Sequence, residues 1–136
     1  MAKIIALDYG TKRTGIAVTD DLQIIASGLT TVKTHDLFTF LKDYLSKNDV
    51  EAFVLGEPKR LDGSETDSSA HVRGLYKKLG TTFDLEVHMV DERFTSKMAF
   101  QTMIDSGLKK KQRQNKGLVD EISATIILQS YLETKK

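Results

Sequence analysis

The stretch from Ile4 to Gly15, I-I-A-L-D-Y-G-T-K-R-T-G, constrains the fold more than any other part of the chain. The run Ile4, Ile5, Ala6 and Leu7 is unbroken by a polar residue, which predicts a strand buried on both faces, and such strands lie in sheets covered by helices. The run ends in a carboxylate, Asp8. Gly10 and Gly15 follow, and both are expected to let the backbone approach a ligand with no Cβ in the way. Lys12 and Arg13 place cations beside the acid, the combination needed to hold a metal and a phosphate. A solvated hairpin turn after a core strand would show the same residues, so the rest of the chain has to decide.

Beyond Asp8, Thr14 to Thr19 alternates as a second strand, Asp20-Asp21 marks a turn, and Leu22 to Val32 resumes a β pattern, giving an antiparallel meander. Thr34 is placed to cap a helix carrying Leu37, Phe38, Leu41, Tyr44 and Leu45 at helical spacing and ending near Lys47-Asn48. Val50 to Gly56 reads as a buried strand reached by that crossover helix, hence parallel to the first. Lys59 to Ser69 is a polar loop. A helix is expected from about Asp67 to Leu79, with Val72, Leu75, Tyr76 and Leu79 inward and Gly80 at its end. Phe83 to Val90 alternates as a last, half-buried strand at the sheet edge, followed by Asp91-Glu92-Arg93. Thr95 or Ser96 begins another helix through Ile104, and the final helix runs from after Gly117 to about Leu132. The expectation is an α/β fold: a five-stranded mixed sheet, strands 1–3 antiparallel and strands 4–5 parallel to strand 1, with helices on both faces.

At 136 residues the chain suits one compact domain, residues 1–136, and no repeat or linker divides it. No apolar run approaches the ~20 residues that span a bilayer, and the N-terminus lacks the pattern of a secretory signal, so a cytoplasmic location with no membrane partner is expected. Having no cysteine, the chain excludes disulfides, thiolate zinc sites and cysteine nucleophiles, leaving oxygen or histidine to hold any metal. The formal net charge of +1 requires any basic footprint to be local.

On the last helix Asp120, Ala124, Ile127 and Tyr131 share an inward face. A carboxylate there costs several kcal/mol, roughly, unless it is partnered. A divalent cation would relieve that cost; a plain first-turn charge is the alternative. Asp8, Glu92 and Asp120 each stand at the end or beginning of an element, and carboxyl ends of parallel strands gather along one edge, where open α/β folds place their sites. Three carboxylates without a thiol suit Mg²⁺ or Mn²⁺, and two such ions about 4 Å apart would activate water and stabilise a leaving oxygen. Asp91 competes with Glu92, and Glu57 also ends a strand; alternation favours Glu92, because it shares a pleat face with Val90.

Lys109, Lys110, Lys111, Arg113 and Lys116 crowd the stretch before the acidic helix. With Lys12, Arg13 and Arg93 they form the candidate nucleic-acid contacts, directed at the phosphate backbone rather than the bases. His88, His71 and His35 are read as surface residues without identifiable partners, which argues against a histidine-based hydrolase.

Four motifs in order carry a resemblance: L-D-Y-G-T-K-R-T-G-I-A-V-T-D at Leu7 to Asp20, L-G-E-P-K-R-L-D-G-S at Leu55 to Ser64, V-D-E-R-F-T-S at Val90 to Ser96, and K-G-L-V-D-E-I-S-A-T-I-I-L-Q-S-Y-L at Lys116 to Leu132. They resemble the YqgF/RuvX family along nearly the whole chain. The resemblance implies a ribonuclease H-like fold and a metal-dependent nuclease: one that processes the 5′ end of pre-16S rRNA in ribosome biogenesis, or a Holliday junction resolvase in DNA recombination and repair. It further implies Asp8, Glu92 and Asp120 as the catalytic, metal-binding triad; the mechanism expected from these residues has Asp8 bridging two ions and Glu92 and Asp120 holding one each. Glu57 departs from the family, which more often has an apolar residue there, and Thr95-Ser96 stands where it often has paired threonines. Two other classes compete. The D-Y-G-T turn with Gly15 also looks like a phosphate loop of actin-like and sugar kinases, which needs a second domain that this length does not supply; a non-catalytic nucleic-acid-binding module would keep the same fold. Junction cutting would call for a dimer, RNA end processing only a monomer, so monomer or weak homodimer is expected.

Overall fold

The computed structural model describes residues 2–57, 69–91 and 116–134. Its elements are β1 (Lys3–Asp8), β2 (Arg13–Thr19), β3 (Ala26–Lys33), a 3-10 turn (Thr34–Asp36), α1 (Leu37–Lys47), β4 (Val50–Glu57), α2 (Ser69–Phe83), β5 (Glu86–Asp91) and the helix here called α3 (Lys116–Thr134). The helix expected after Thr95 and the lysine-rich stretch from Lys109 to Arg113 lie outside the described residues.

The five strands form one mixed sheet in the order β3-β2-β1-β4-β5. β1, β2 and β3 pair antiparallel, while β4 pairs parallel with β1 and β5 parallel with β4. This is the expected topology, with β5 at the edge. Ile4, Ile5, Ala6 and Leu7 are fully buried because β1 is central and covered on both faces. Ile5 and Leu7 face α1 and α2, packing with Leu37, Leu41, Phe53, Val72 and Leu79. Ile4 and Ala6 face α3, packing with Ala17, Val54, Ala124, Ile127 and Leu128. Strand alternation thus sends successive β1 residues into two separate cores.

Four local expectations change. Leu22, Ile24 and Ile25 are exposed and precede β3 rather than beginning it. The Asp20 carboxylate accepts the backbone N–H of Ile24 at 2.8 Å and of Ile25 at 2.9 Å, and Gln23 takes a φ of 58°, so a side-chain-closed turn replaces strand pairing there. Thr34 caps nothing: no side-chain bond caps either the 3-10 turn or α1, and the Thr34 hydroxyl is used elsewhere. Tyr76 is exposed instead of inward. Finally, α2 passes Gly80 and ends at Phe83, so β5 begins only at Glu86. Phe83 stacks on Phe38 (ring centroids 5.9 Å apart) and lies 5.5 Å from the Phe53 ring, and this burial extends the helix past the glycine. Asp84, with φ 54°, then closes it by donating its N–H to the Gly80 carbonyl at 3.0 Å.

Candidate active site

The carboxyl ends of β1, β4 and β5 reach the same edge of the sheet, with Asp8 ending β1 and Glu57 paired to Asp91 at the ends of the other two. Asp8 has the strand parity of Ile4 and Ala6, so it belongs to the face that α3 covers. In the β1–β2 ladder its partner is Gly15.

Gly15 is what brings the second acid in. A Cβ built on Gly15 would lie 2.1 Å from the Asp120 carbonyl oxygen and 2.4 Å from its carbonyl carbon. The helix backbone therefore rests directly on the bare strand. Asp8 is paired beside that strand position, and Asp120 sits on the helix above it, so one glycine sets the distance between two acids far apart in sequence. The glycine was expected to admit a ligand; it admits a helix. An isolated glycine inside an alternating strand is the signal that announces such an approach.

Asp8 and Asp120 line one open cavity of about 270 Å³, together with Tyr9, Gly10, Thr11, Lys12 and Arg13. Arg13 Nε donates to Asp120 Oδ2, a charge-assisted bond between β2 and α3. Asp120 is the fifth residue of α3, beyond its first turn, so a charge placed only to satisfy the helix end does not describe it. Arg13 is one partner of its carboxylate, and it lies on the inward side with Ala124 and Ile127, as the helical spacing required.

The turn that carries Lys12 and Arg13 is fixed from below. Gly10 allows it to close tightly: a Cβ there would fall 2.5 Å from the Arg13 carbonyl oxygen. Thr34 holds it at two points, its hydroxyl donating to the Gly10 carbonyl and its backbone N–H to the Lys12 carbonyl at 3.0 Å. The same hydroxyl lies 3.0 Å from that of Thr14, a fully buried residue of β2. Thr34 was absent from the sequence-derived site because nothing local relates it to a turn more than twenty residues earlier; only the β2–β3 pairing does.

Of the remaining candidates, Glu92, Arg93, Lys109, Lys110, Lys111 and Arg113 lie outside the described residues, and Lys116 begins α3. Among the described residues no group of three or more potential metal ligands assembles. The cavity nevertheless supplies two carboxylates from separate elements and no thiol or imidazole, the donor chemistry of a hard divalent cation. His88 is not isolated: its Nε2 lies 3.3 Å from a Glu86 carboxylate oxygen and its ring 5.0 Å from that of Tyr131. Burial and the nearby Glu86 and Glu51 carboxylates push the Tyr131 phenol above its ordinary pKa. Among the described residues no helix is long and apolar enough to cross a membrane.

Comparison with known proteins bears on the family and the fold. A protein of Flavobacterium johnsoniae named "Putative pre-16S rRNA nuclease" is 61% identical over 137 residues, covering 100% of this chain and 99% of its own length. A protein of the same name from Flavobacterium psychrophilum is 59% identical, with 99% of each chain covered. Among solved structures, T. thermophilus RuvC in complex with a Holliday junction substrate superposes with a TM-score of 0.60 at 18% identity, over 99% of this chain and 96% of that one. YeaZ from Pseudomonas aeruginosa matches with a TM-score of 0.50 at 16% identity, over 79% of this chain; this chain spans 50% of the length of YeaZ. At these identities the two structures show the shared fold, which is ribonuclease H-like. A family model described as "RuvX: Holliday junction resolvase" matches residues 2–134. With its family match and its full-length relatives in agreement, the chain belongs to the RuvX family, and so to the hydrolases that act on phosphodiester bonds.

Proposed function

We propose that the chain is a divalent-metal-dependent endonuclease of structured nucleic acid, acting in the cytoplasm at the 5′ end of pre-16S rRNA. The observation that carries this is the meeting of Asp8 and Asp120 across Gly15, in an open cavity that also presents Lys12 and Arg13. The names of the full-length relatives support the RNA substrate. A four-way DNA junction is the second reading, supported by the family description and by the junction-bound RuvC that shares the fold.

Asp8 and Asp120 would hold the cation, with Glu92 as the third ligand. Support for Glu92 over Asp91 comes from Val90, two residues earlier, which packs against the α3-side core together with Ile4 and Ala6. When bound, Mg²⁺ or Mn²⁺ supplies Lewis-acid stabilisation of charge on the phosphodiester and a more acidic water. The chain's own residues position the substrate: Lys12 and Arg13 meet phosphate oxygens from a turn that Thr34 keeps rigid, and Arg13 orients the Asp120 carboxylate. End processing of RNA needs a single such site, so a monomer suffices.

The test is cleavage of a pre-16S rRNA fragment and of a four-way DNA junction by the purified protein with Mn²⁺ or Mg²⁺, beside Asp8→Asn, Glu92→Gln and Asp120→Asn. Loss of an indirect partner of a metal ligand costs about 10–100-fold, so each ligand variant is expected to lose more than about 100-fold. Cleavage undiminished in Asp8→Asn refutes the proposal. Tight binding with no cleavage of either substrate identifies a non-catalytic binding module instead.

A further inference from the structure

A second cavity, of about 310 Å³, opens at the same edge of the sheet but on its other side, between the beginning of α1 and the middle of α2. Tyr9 lines both cavities. This follows from strand alternation, since Asp8 takes the α3 side and Tyr9, packed against the Ile5 and Leu7 core, takes the α1 and α2 side. Thr34, a lining residue of the second cavity, also ties down the Gly10 turn that lines the first.

The lining divides by chemistry. Leu37, Phe38 and Leu75 make an apolar floor, and Phe38 is held flat by its stack on Phe83. His71, Gly74, Leu75 and Lys78 follow one another at helical spacing along one side of α2, so imidazole and ammonium groups border that floor. Lys78 Nζ lies over the face of the Phe38 ring, 4.5 Å from its centre, so the ammonium must swing aside toward the phosphate for a base to reach that ring. His35, on the opposite rim, is 3.5 Å from the Asp36 carboxylate and is the weaker anion contact for that reason. An apolar floor with nitrogen donors at its rim matches a nucleotide, whose base is flat and apolar-faced and whose phosphate is anionic.

We propose that this groove is a subsite for a nucleotide flanking the scissile phosphate, its floor taking the base and His71 and Lys78 the phosphate. The proposal rests on the nuclease reading above and extends it: the strand crosses the sheet edge at Tyr9, with the reacting phosphate on the Asp8 side and its neighbour on the other. It names a place where a base contacts the protein, beyond the backbone contacts expected from Lys12 and Arg13.

Gly74 provides the test. Gly74 lines the groove and a Cβ added there meets nothing within 4 Å, so a side chain can be started there without a clash, and replacing a helical glycine favours the helix. Binding of a short single-stranded oligoribonucleotide would be measured across a salt series for the wild type, Gly74→Met, His71→Ala and Lys78→Ala. Thermal melting would confirm that each variant is folded. Gly74→Met is expected to weaken binding by about 5- to 150-fold, the range for loss of one stacked base. Lys78→Ala is expected to lower the slope of log K against log salt by about 0.7, one phosphate contact on a single strand. In cleavage assays Gly74→Met should raise KM more than it lowers kcat, and trimming the substrate on the flanking side should abolish the difference from wild type. Wild-type affinity in Gly74→Met, or an unchanged salt slope in Lys78→Ala, overturns the subsite. If the wild type cleaves nothing yet its binding remains sensitive to Gly74→Met, the nuclease reading fails and the groove stands as a nucleotide site.

Discussion

Gly15→Ala is the substitution on which the account of the site depends most directly. The added Cβ would lie 2.1 Å from the Asp120 carbonyl oxygen, 2.4 Å from its carbonyl carbon and 2.9 Å from its Cβ, whereas ordinary contact begins at 3.4 Å. Two of these three atoms are helix backbone, so no rotamer change relieves the clash. α3 must move away by about 1.3 Å, the difference between 3.4 and 2.1 Å. Overpacking a tight interface costs typically about 1–3 kcal/mol, and a misplacement of ~1 Å in a catalytic group costs on the order of 100-fold in rate. Gly28→Ala is the control, on the neighbouring strand beneath the same helix. There the Cβ would meet Thr125 Oγ1 at 3.4 Å and Glu121 Cβ at 3.5 Å, which is ordinary packing. Urea denaturation and single-turnover cleavage with Mn²⁺ should show Gly28→Ala within about 1 kcal/mol of wild type. Gly15→Ala should lose 1–3 kcal/mol, roughly, and about 100-fold in the chemical step. If Gly15→Ala matches Gly28→Ala in both measurements, the strand glycine does not set the spacing of the acids and the reasoning is wrong.

Thr34→Val removes the hydroxyl bond to the Gly10 carbonyl and the contact with Thr14, and should cost about 1–2 kcal/mol in urea melts while raising KM for a phosphodiester substrate more than it alters kcat. Mn²⁺ in a thermal melt is expected to raise the Tm of wild type, by the equivalent of about 2.7 kcal/mol at one hundred times Kd, and to leave Asp8→Asn and Asp120→Asn unshifted; equal shifts in all three proteins would place the cation elsewhere. The Asp20 carboxyl titrates below its ordinary value of 3.8 because the Ile25 and Ile24 N–H groups stabilise its charge. A depressed folded-state pKa contributes stability that is present above 3.8 and disappears as pH falls through the folded value. Asp20→Ala should therefore melt below wild type at pH 6 and converge with it as the pH drops under that value; a gap that stays constant with pH would rule out the carboxylate as its source.

Much of the fold is legible in the order of residues because its signals are local. The Ile4 to Leu7 run, the helical spacing of Leu37 and Leu41, and the crossover to Val50 each depend on a period that a short window contains. The discrepancies arise where a distant partner overrides the window. Phe83 looks like the start of an alternating strand, yet Phe38 and Phe53 draw it into α2 and carry the helix past Gly80. Leu22, Ile24 and Ile25 look like strand residues, yet Asp20 takes the backbone donors of the last two. Thr34 looks like a cap, yet the β2–β3 hairpin delivers it to the Gly10 turn. The site divides in the same way. Asp8 is visible as an acid ending a buried strand and Asp120 as an acid on an inward helix face, but their proximity is a property of Gly15 and α3 together. Arg13 is visible only as a cation near Asp8, while its partner across the cavity is Asp120.

The arrangement at the end of β1 also explains why substitutions around it should separate into two kinetic classes. Asp8 and Tyr9 are neighbours in sequence and belong to opposite sides of the sheet, so the layers behind them share almost nothing: Asp8 depends on Gly15 and α3, Tyr9 on α1 and α2. A displacement of α3 moves Asp120 relative to Asp8 and, under the proposed function, acts on the reacting phosphate. A filled groove between α1 and α2 leaves both carboxylates where they are and removes only a place for the flanking strand. Interactions present equally in ground state and transition state change KM, whereas those made at the reacting atoms change kcat. Gly15→Ala and Gly74→Met should therefore act on different constants, and being on different layers they should combine additively in the double variant. Strong non-additivity would mean that strain passes between the cavities through Tyr9, which lines both, and the adjoining Gly10 turn, and Thr34→Val would then mimic the coupling.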